Sequence, residues 1–312
     1  MMNKHYVGDL LRRAREQSGV TQTQLAKDSG VSRVTISRIE SGKQVPTHET
    51  LRMLLEKLGV DHPTWLSNEL LSKEEADAQV RINELDGHLA NMRIKEADKL
   101  ILQLESDDAF MQASQNKQYI LFATAIRHSI SKSDAAFILG LLRDAISINI
   151  HNYCDAGIHD YLLSNQDLGI ICLMATTYYE NDDLSKAIAI MTALKENFDE
   201  HCADENHRGK HYPFIVYNLT KYLGLSGNHL ESLQLCDKGI DVCIQTKYLA
   251  LLPEIYFNKA YCLYHLGQKE ESAVLFRDVC HTLKLYRRAD EMNYVKSYVL
   301  EKTDIAFDLS YL

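Results

Sequence analysis

Two arginines five positions apart, Arg33 and Arg38, stand in a polar run with Gln22, Ser32, Val34, Thr35, Ser37 and Lys43 around them. A guanidinium presents a fork of N–H donors that matches guanine O6 and N7, and a good bidentate pair discriminates by about 1–3 kcal/mol. Val34 offers only an apolar contact, for instance to a thymine methyl. The plainer alternative is that both arginines are solvated residues of an ordinary helix surface. A second polar set lies downstream: Asn83, Thr176, Asn218, Lys221, Tyr222, Asn258 and Tyr261. An asparagine amide carries both donor and acceptor, so it can pair with the N–H and C=O of an extended peptide whatever its side chains. It can equally solvate a surface or satisfy buried backbone. Lys221 could meet a carboxylate, a peptide C-terminus included. Tyr217, Tyr222, Phe257 and Tyr261 could wall side-chain pockets or simply pack between helices.

The first set is positioned by TQTQLAKDSGVSRVTISRIESGK, residues 21–43, which reads as two short helices joined by a tight turn. Thr21 is a side-chain N-cap with Gln24 three residues on, as in a capping box. Gly30 ends the first helix where a left-handed residue is needed. Ser32 caps the second helix and Gly42 ends it. Leu25, Ala26, Val31, Ile36 and Ile39 supply the buried face, which leaves the polar and basic residues outside. A short basic helix held by a partner has the shape that enters a DNA major groove.

Residues 7–68 resemble the Cro/phage-repressor helix-turn-helix family. The likeness runs through LLRRAREQSGVTQTQLA, the GVS turn, ISRIESGK, Pro46, LRMLLEKLGV and Trp65-Leu66. It implies a five-helix DNA-binding domain over 1–68. Gln22 falls on that family's phosphate-contacting glutamine, and Arg33, Val34 and Arg38 fall on positions that read base edges. Thr35, Ser37 and Lys43 fall at or near backbone-contacting positions. Arg15 and Glu40 match its internal salt bridge.

Beyond residue 72 the pattern is helical throughout and repeats. A small residue recurs early in the second helix of each hairpin, at Ala97, Ala135, Ala187, Ser232 and Ser272, at intervals of 38, 52, 45 and 40 residues. Twelve residues before each stand Leu85, Ala123, Ala175, Thr220 and Ala260, so two helices can approach closely. Pro213 and Pro253 each fall at the start of a helical pattern, where proline is tolerated. The units resemble tetratricopeptide repeats with longer helices. The fold class is therefore all-α: a right-handed solenoid of about five such hairpins over 72–312, closed by a C-terminal capping helix. INIHNYCDAGIHDYLL, residues 148–163, fits the repeat poorly. Stacked hairpins curve into a trough lined by the first helix of each unit, where the second polar set falls.

A phage-repressor-type head on such a body is similar to the RRNPP group of peptide-pheromone receptors. VYNLTKYLGLSGNHLESLQLCDKGIDV and IYFNKAYCLYHLGQKEESAVLF carry that likeness. The resemblance implies a transcription regulator of quorum-sensing type, controlled by a short peptide in the trough. Concave asparagines hold the peptide backbone in that group, which maps onto Asn218 and Asn258. The alternative is a DNA-binding repressor whose repeats are only a protein-interaction or oligomerisation scaffold.

Charge agrees with a divided molecule. The whole chain is −9, yet residues 1–68 hold ten Lys and Arg against seven Asp and Glu, so the head is +3 and the rest −12. Counter-ion release favours the head alone. So modest a charge predicts weak monomer binding, hence a homodimer on a palindromic operator of double-stranded DNA. The seven cysteines form no CxxC pair and read as reduced core thiols of a cytoplasmic protein. MMNKHYVGDLL lacks the apolar core of a signal peptide, and no stretch approaches the ~20 apolar residues of a membrane span. The His201, Cys202, His207, His211 cluster matches no zinc spacing. No cofactor, nucleophile elbow or phosphate loop is visible, so an enzyme is not expected.

Overall fold

Helices are the only regular structure among the described residues of the computed structural model, which are 4–58, 73–161, 163–202 and 205–305. The chain divides into two units, Met1–Phe110 and Met111–Leu312.

In the first unit, α1 (Lys4–Gln17), α2 (Gln22–Ser29), α3 (Arg33–Glu40) and α4 (His48–Lys57) close around Val7, Leu11, Leu25, Ile36, Ile39, Leu51, Leu54 and Leu55. These are the apolar stripes of four short amphipathic helices, none of which could bury its face alone. The expected fifth helix, with Trp65-Leu66, lies outside the described residues. α5 (Lys73–Ala90) and α6 (Ile94–Glu105) form the first hairpin. Arg81 of α5 bonds Asp107 at 2.6 Å and lies 5.3 Å over the Phe110 ring.

The short α7 (Asp108–Met111) precedes the second unit's hairpins. They are α8 (Ser114–Ile130) with α9 (Ala135–Asn149), α10 (Asn165–Glu180) with α11 (Leu184–His201), α12 (Glu205–Leu225) with α13 (His229–Thr246), and α14 (Leu252–His265) with α15 (Lys269–Leu285). The second helix of each packs on the first helix of the next, and α16 (Ala289–Lys302) covers α15. The small residues at the repeat sites sit where the spacing predicts: Ala97, Ala187, Ser232 and Ser272 are fully buried and Ala135 is half-buried. A left-handed residue stands five positions before four of them, at Met92, Asp182, Gly227 and Gly267.

The 52-residue interval has a structural cause. A 3₁₀ turn, Asp155–Asp160, is inserted between α9 and α10. Asn197 of α11 clasps it, its Nδ2 lying 3.0, 3.2 and 2.7 Å from the carbonyl oxygens of Ile158, His159 and Tyr161. Beside it the fully buried Asp167 accepts from Gln118 Nε2, Asn149 Nδ2 and Ser164, so its charge is met by donors from three segments. Pro253 does open α14, but Pro213 stands inside α12, whose first turns run from Glu205. The helix there extends backwards through NHRGKH, past the proline read as its start.

Candidate nucleic-acid interface and ligand cleft

The two-helix element is built as its cap residues require. Thr21 Oγ1 accepts from Gln24 N at 3.1 Å, and Gly30 ends α2 at φ +72° with its N–H on the Ala26 carbonyl. Ser32 Oγ accepts from Thr35 N at 3.0 Å and lies 2.8 Å from Thr35 Oγ1. With Ile36 and Ile39 fully buried, α3 has one orientation. It turns Arg33, Val34, Ser37 and Arg38 outward, and Lys43 beyond it is also exposed. Val34 is 67% exposed, so its side chain is open to contact from outside.

Behind α3, Arg15 pairs with Glu40 through Nε–Oε1 at 2.6 Å and Nη2–Oε2 at 2.9 Å, and its Nη1 donates to the Val20 carbonyl at 2.9 Å. The Glu40 side chain is 4% exposed, and its hydrogen bond raises the Arg15 pKa above the ordinary value. Gln22 Nε2 donates to the same carboxylate at 2.8 Å. The glutamine that the resemblance gives to phosphate is thus tied to the internal ion pair. Gly8 is a contributor that the spacing did not reveal. A Cβ there would stand 2.3 Å from the Ile39 carbonyl oxygen, so only glycine lets α1 lie on the end of α3.

The second set does not gather as a whole. Asn83 lies in the first unit, exposed, its Oδ1 accepting from Gln79 at 3.0 Å. In the second unit, a cleft of about 380 Å³ opens against α10, α12, α14, α15 and α16. Lys221, Asn258 and Tyr261 line it, with Tyr217 and Phe257. Tyr179 and, from α16, Tyr294 and Tyr298 complete an aromatic wall that the repeat alignment did not anticipate. Tyr222 is fully buried beneath it, its hydroxyl 3.3 Å from Thr176 Oγ1, and Thr176 also donates to the Cys172 carbonyl. These two brace α10 against α12.

Each asparagine is partly committed. Asn218 Nδ2 donates to the Phe214 carbonyl one turn back, at 2.9 Å. Asn258 Nδ2 donates at 2.9 Å to both the Tyr217 carbonyl and Thr220 Oγ1, so it joins successive hairpins while lining the cleft. Lys221 Nζ sits 4.6 Å from the Tyr179 ring centre and 5.9 Å from that of Tyr222. Burial lowers its pKa, against a smaller upward pull from Glu180. Burial also raises the thiols of Cys172 and Cys236 to about 12 and of Cys243 and Cys280 to about 11, so these cysteines pack as apolar residues. Among the described residues no metal-ligating cluster of three occurs, and no helix is long and apolar enough to cross a membrane.

Residues 7–64 match a helix-turn-helix domain model, and residues 142–296 match the RNPP family C-terminal domain. No curated protein matches the chain. Among solved structures, the fold is similar to PlcR of Bacillus thuringiensis in complex with the peptide PapR7 and DNA, at 20% identity and TM-score 0.63, covering 96% of this chain and 100% of that one. It is likewise similar to the SHP pheromone receptor Rgg2 of Streptococcus dysgalactiae, at 14% identity and TM-score 0.63, covering 95% of this chain and 100% of that one. With both domain types present and in that order, the chain is an RRNPP-type regulator, a helix-turn-helix joined to tetratricopeptide-like repeats.

Proposed function

We propose that this chain is a cytoplasmic, sequence-specific transcription regulator whose DNA binding is controlled by a short peptide held in the cleft of its repeat domain. In this reading the domains are 1–68 and 72–312. Arg33 and Arg38 read base edges, Val34 meets an apolar base surface, and Gln22, Ser32, Thr35, Ser37 and Lys43 hold the DNA backbone. Two copies bind a two-fold-symmetric operator. A peptide that favours one state of the repeats shifts the arrangement of the heads, and tenfold needs only about 1.4 kcal/mol of differential affinity.

The observation that carries the sensing half is an aromatic cleft containing a lysine that makes no ion pair among the described residues and feels only the weaker pull of Glu180. Monomeric proteins rarely leave so much aromatic surface around an unpaired charge without a ligand to cover it. Asn258 keeps its Oδ1 for a peptide N–H; Asn218, Thr176 and Tyr222 act from behind.

The test is a mobility-shift assay on the genomic region upstream of the gene, with and without peptides from short secreted-precursor frames beside it. Peptide should change the shift at least tenfold, and Arg33→Ala/Arg38→Ala should abolish binding with an unchanged melt. Undiminished binding by the double variant removes the reading role. Peptide response that survives Lys221→Gln/Asn258→Ala removes the cleft's.

A further inference from the structure

The cleft carries opposite charges at its two ends. Lys221 stands at the Tyr179 end. At the other, Glu254 and Glu291 line the wall and share one guanidinium, since Arg288 donates to Glu254 Oε1 and Glu291 Oε2. Two carboxylates against one guanidinium leave a net charge of −1. Glu254 Oε2 is buried and has no hydrogen-bond partner, although a carboxylate oxygen in such a place ordinarily has one. An acceptor is therefore vacant at one end, and at the other a cation makes no ion pair and feels only the weaker pull of Glu180.

Their separation follows from the helix register. Asn258 reaches Tyr217 O and Thr220 Oγ1, so it lies level with residues 217–220 of α12. Gly224 lies against Tyr261 and Cys262, so α12 and α14 run in the same direction. Glu254 is one turn before Asn258, and Lys221 lies at or just past its level. At 1.5 Å per residue the charges stand roughly 6–11 Å apart along the axes. An extended chain rising about 3.3 Å per residue covers that in about two to three residues.

We infer that the cleft fixes the charge pattern of its guest and, where the charges are the guest's own termini, its direction. A cationic group sits at Glu254 and an anionic group at Lys221, about two to three residues apart, with apolar side chains against the aromatic wall between. A guest held by its termini runs parallel to α12 and α14, amino end toward Glu254. This rests on the peptide reading above. The cation and anion can be a peptide's own termini or a Lys or Arg and an Asp or Glu within a longer one; either supplies the same two contacts.

The test measures calorimetric affinity of the full chain for four tetrapeptide pools built on Leu, Phe and Val. The first has free ends and the second is acetylated and amidated. The third and fourth are also end-blocked, with Lys first and Glu last in one and the reverse in the other. The free pool should bind at least tenfold tighter than the blocked one if termini are the source. If side chains are the source, the Lys-first and Glu-first pools should each beat the uncharged blocked pool by the same factor, since such a peptide can run either way. Lys221→Gln should shrink whichever gap appears to less than threefold and change the melt only slightly, because Lys221 holds no ion pair and loses only its ring contacts. A gap in either comparison upholds the inference. Binding with no gap in either overturns it and leaves the peptide reading standing. Binding of no pool overturns both.

Discussion

The Ser232 hydroxyl donates to the main-chain carbonyl oxygen of Thr220 at 2.8 Å, and Ser272 repeats the contact on Ala260 at 2.7 Å, twelve residues apart in each case. Both serines are fully buried. Here the second helix of a hairpin touches the first, and Ser232 Oγ also accepts from Cys262 Sγ of the next unit at 3.2 Å. Ser232→Val must force these helices apart and should cost about 1–3 kcal/mol. Ser232→Ala removes the two hydrogen bonds without crowding the helices, at about 1 kcal/mol. Urea denaturation midpoints should rank wild type above Ala above Val.

Gly8→Ala should disable the head and spare the repeats. Its methyl meets two main-chain carbonyls, 2.3 Å from Ile39 O and 3.0 Å from Glu40 O, neither of which can rotate away. Relief requires α1 to lift from α3, at about 1–3 kcal/mol or more. Operator binding should fall in a mobility-shift assay, while calorimetric binding at the cleft is unchanged.

His229 and His265 stack at 4.8 Å and 6°, with Tyr261 beside both, and His229 Nδ1 is buried with no partner. Burial, then the neighbouring His265, lowers the His229 pKa. The native state thus resists protonation that the unfolded chain accepts near its ordinary value of about 6.5. Stability should be level above that pH and fall as the pH drops below it toward the lowered folded value. Thermal melts from pH 8 to pH 5.5 should show the decline, with a shallower slope in His229→Gln.

The turn residues predict opposite signs at equivalent positions. Met92 holds φ +53° and Gly227 φ +86° five residues before a repeat site. A side chain in the left-handed region costs about 1 kcal/mol or more. Met92→Gly should therefore raise the melting temperature, because Met92 is 73% exposed and gives up little packing. Gly227→Ala should lower it through backbone strain alone, since no atom lies within 4 Å of its added methyl.

Much of the architecture was legible because its signals are local. Caps at Thr21 and Ser32 mark helix starts, and the spacing of Ser232 and Ser272 marks hairpins whose two helices are near in sequence. The 3₁₀ spacer was visible as a long interval and as the segment 148–163 that fits no repeat, but not as a turn, since its clasp, Asn197, comes about forty residues later. Arg33, Val34 and Arg38 stand outward because the buried stripe of α3 leaves them nowhere else. The cleft was half legible. Lys221 and Tyr261 share one repeat position and Asn258 stands three residues before it, whereas Tyr294, Tyr298 and Glu291 come from α16, which repeats nothing. Glu254 and Arg288 meet across 34 positions, and no periodicity records that pairing. Pro213 misled in the other direction, because proline marks a helix start only when tertiary packing does not extend the helix past it.

Asn258 faces two ways: its nitrogen fastens one hairpin to the next, and its oxygen is left to the cleft. The two atoms belong to one conjugated amide, so a donor that reaches the oxygen draws electron density from the nitrogen and makes its N–H groups better donors. Any guest that bonds there tightens the joint between neighbouring repeats at the same moment, and the stiffness of the array becomes a readout of occupancy.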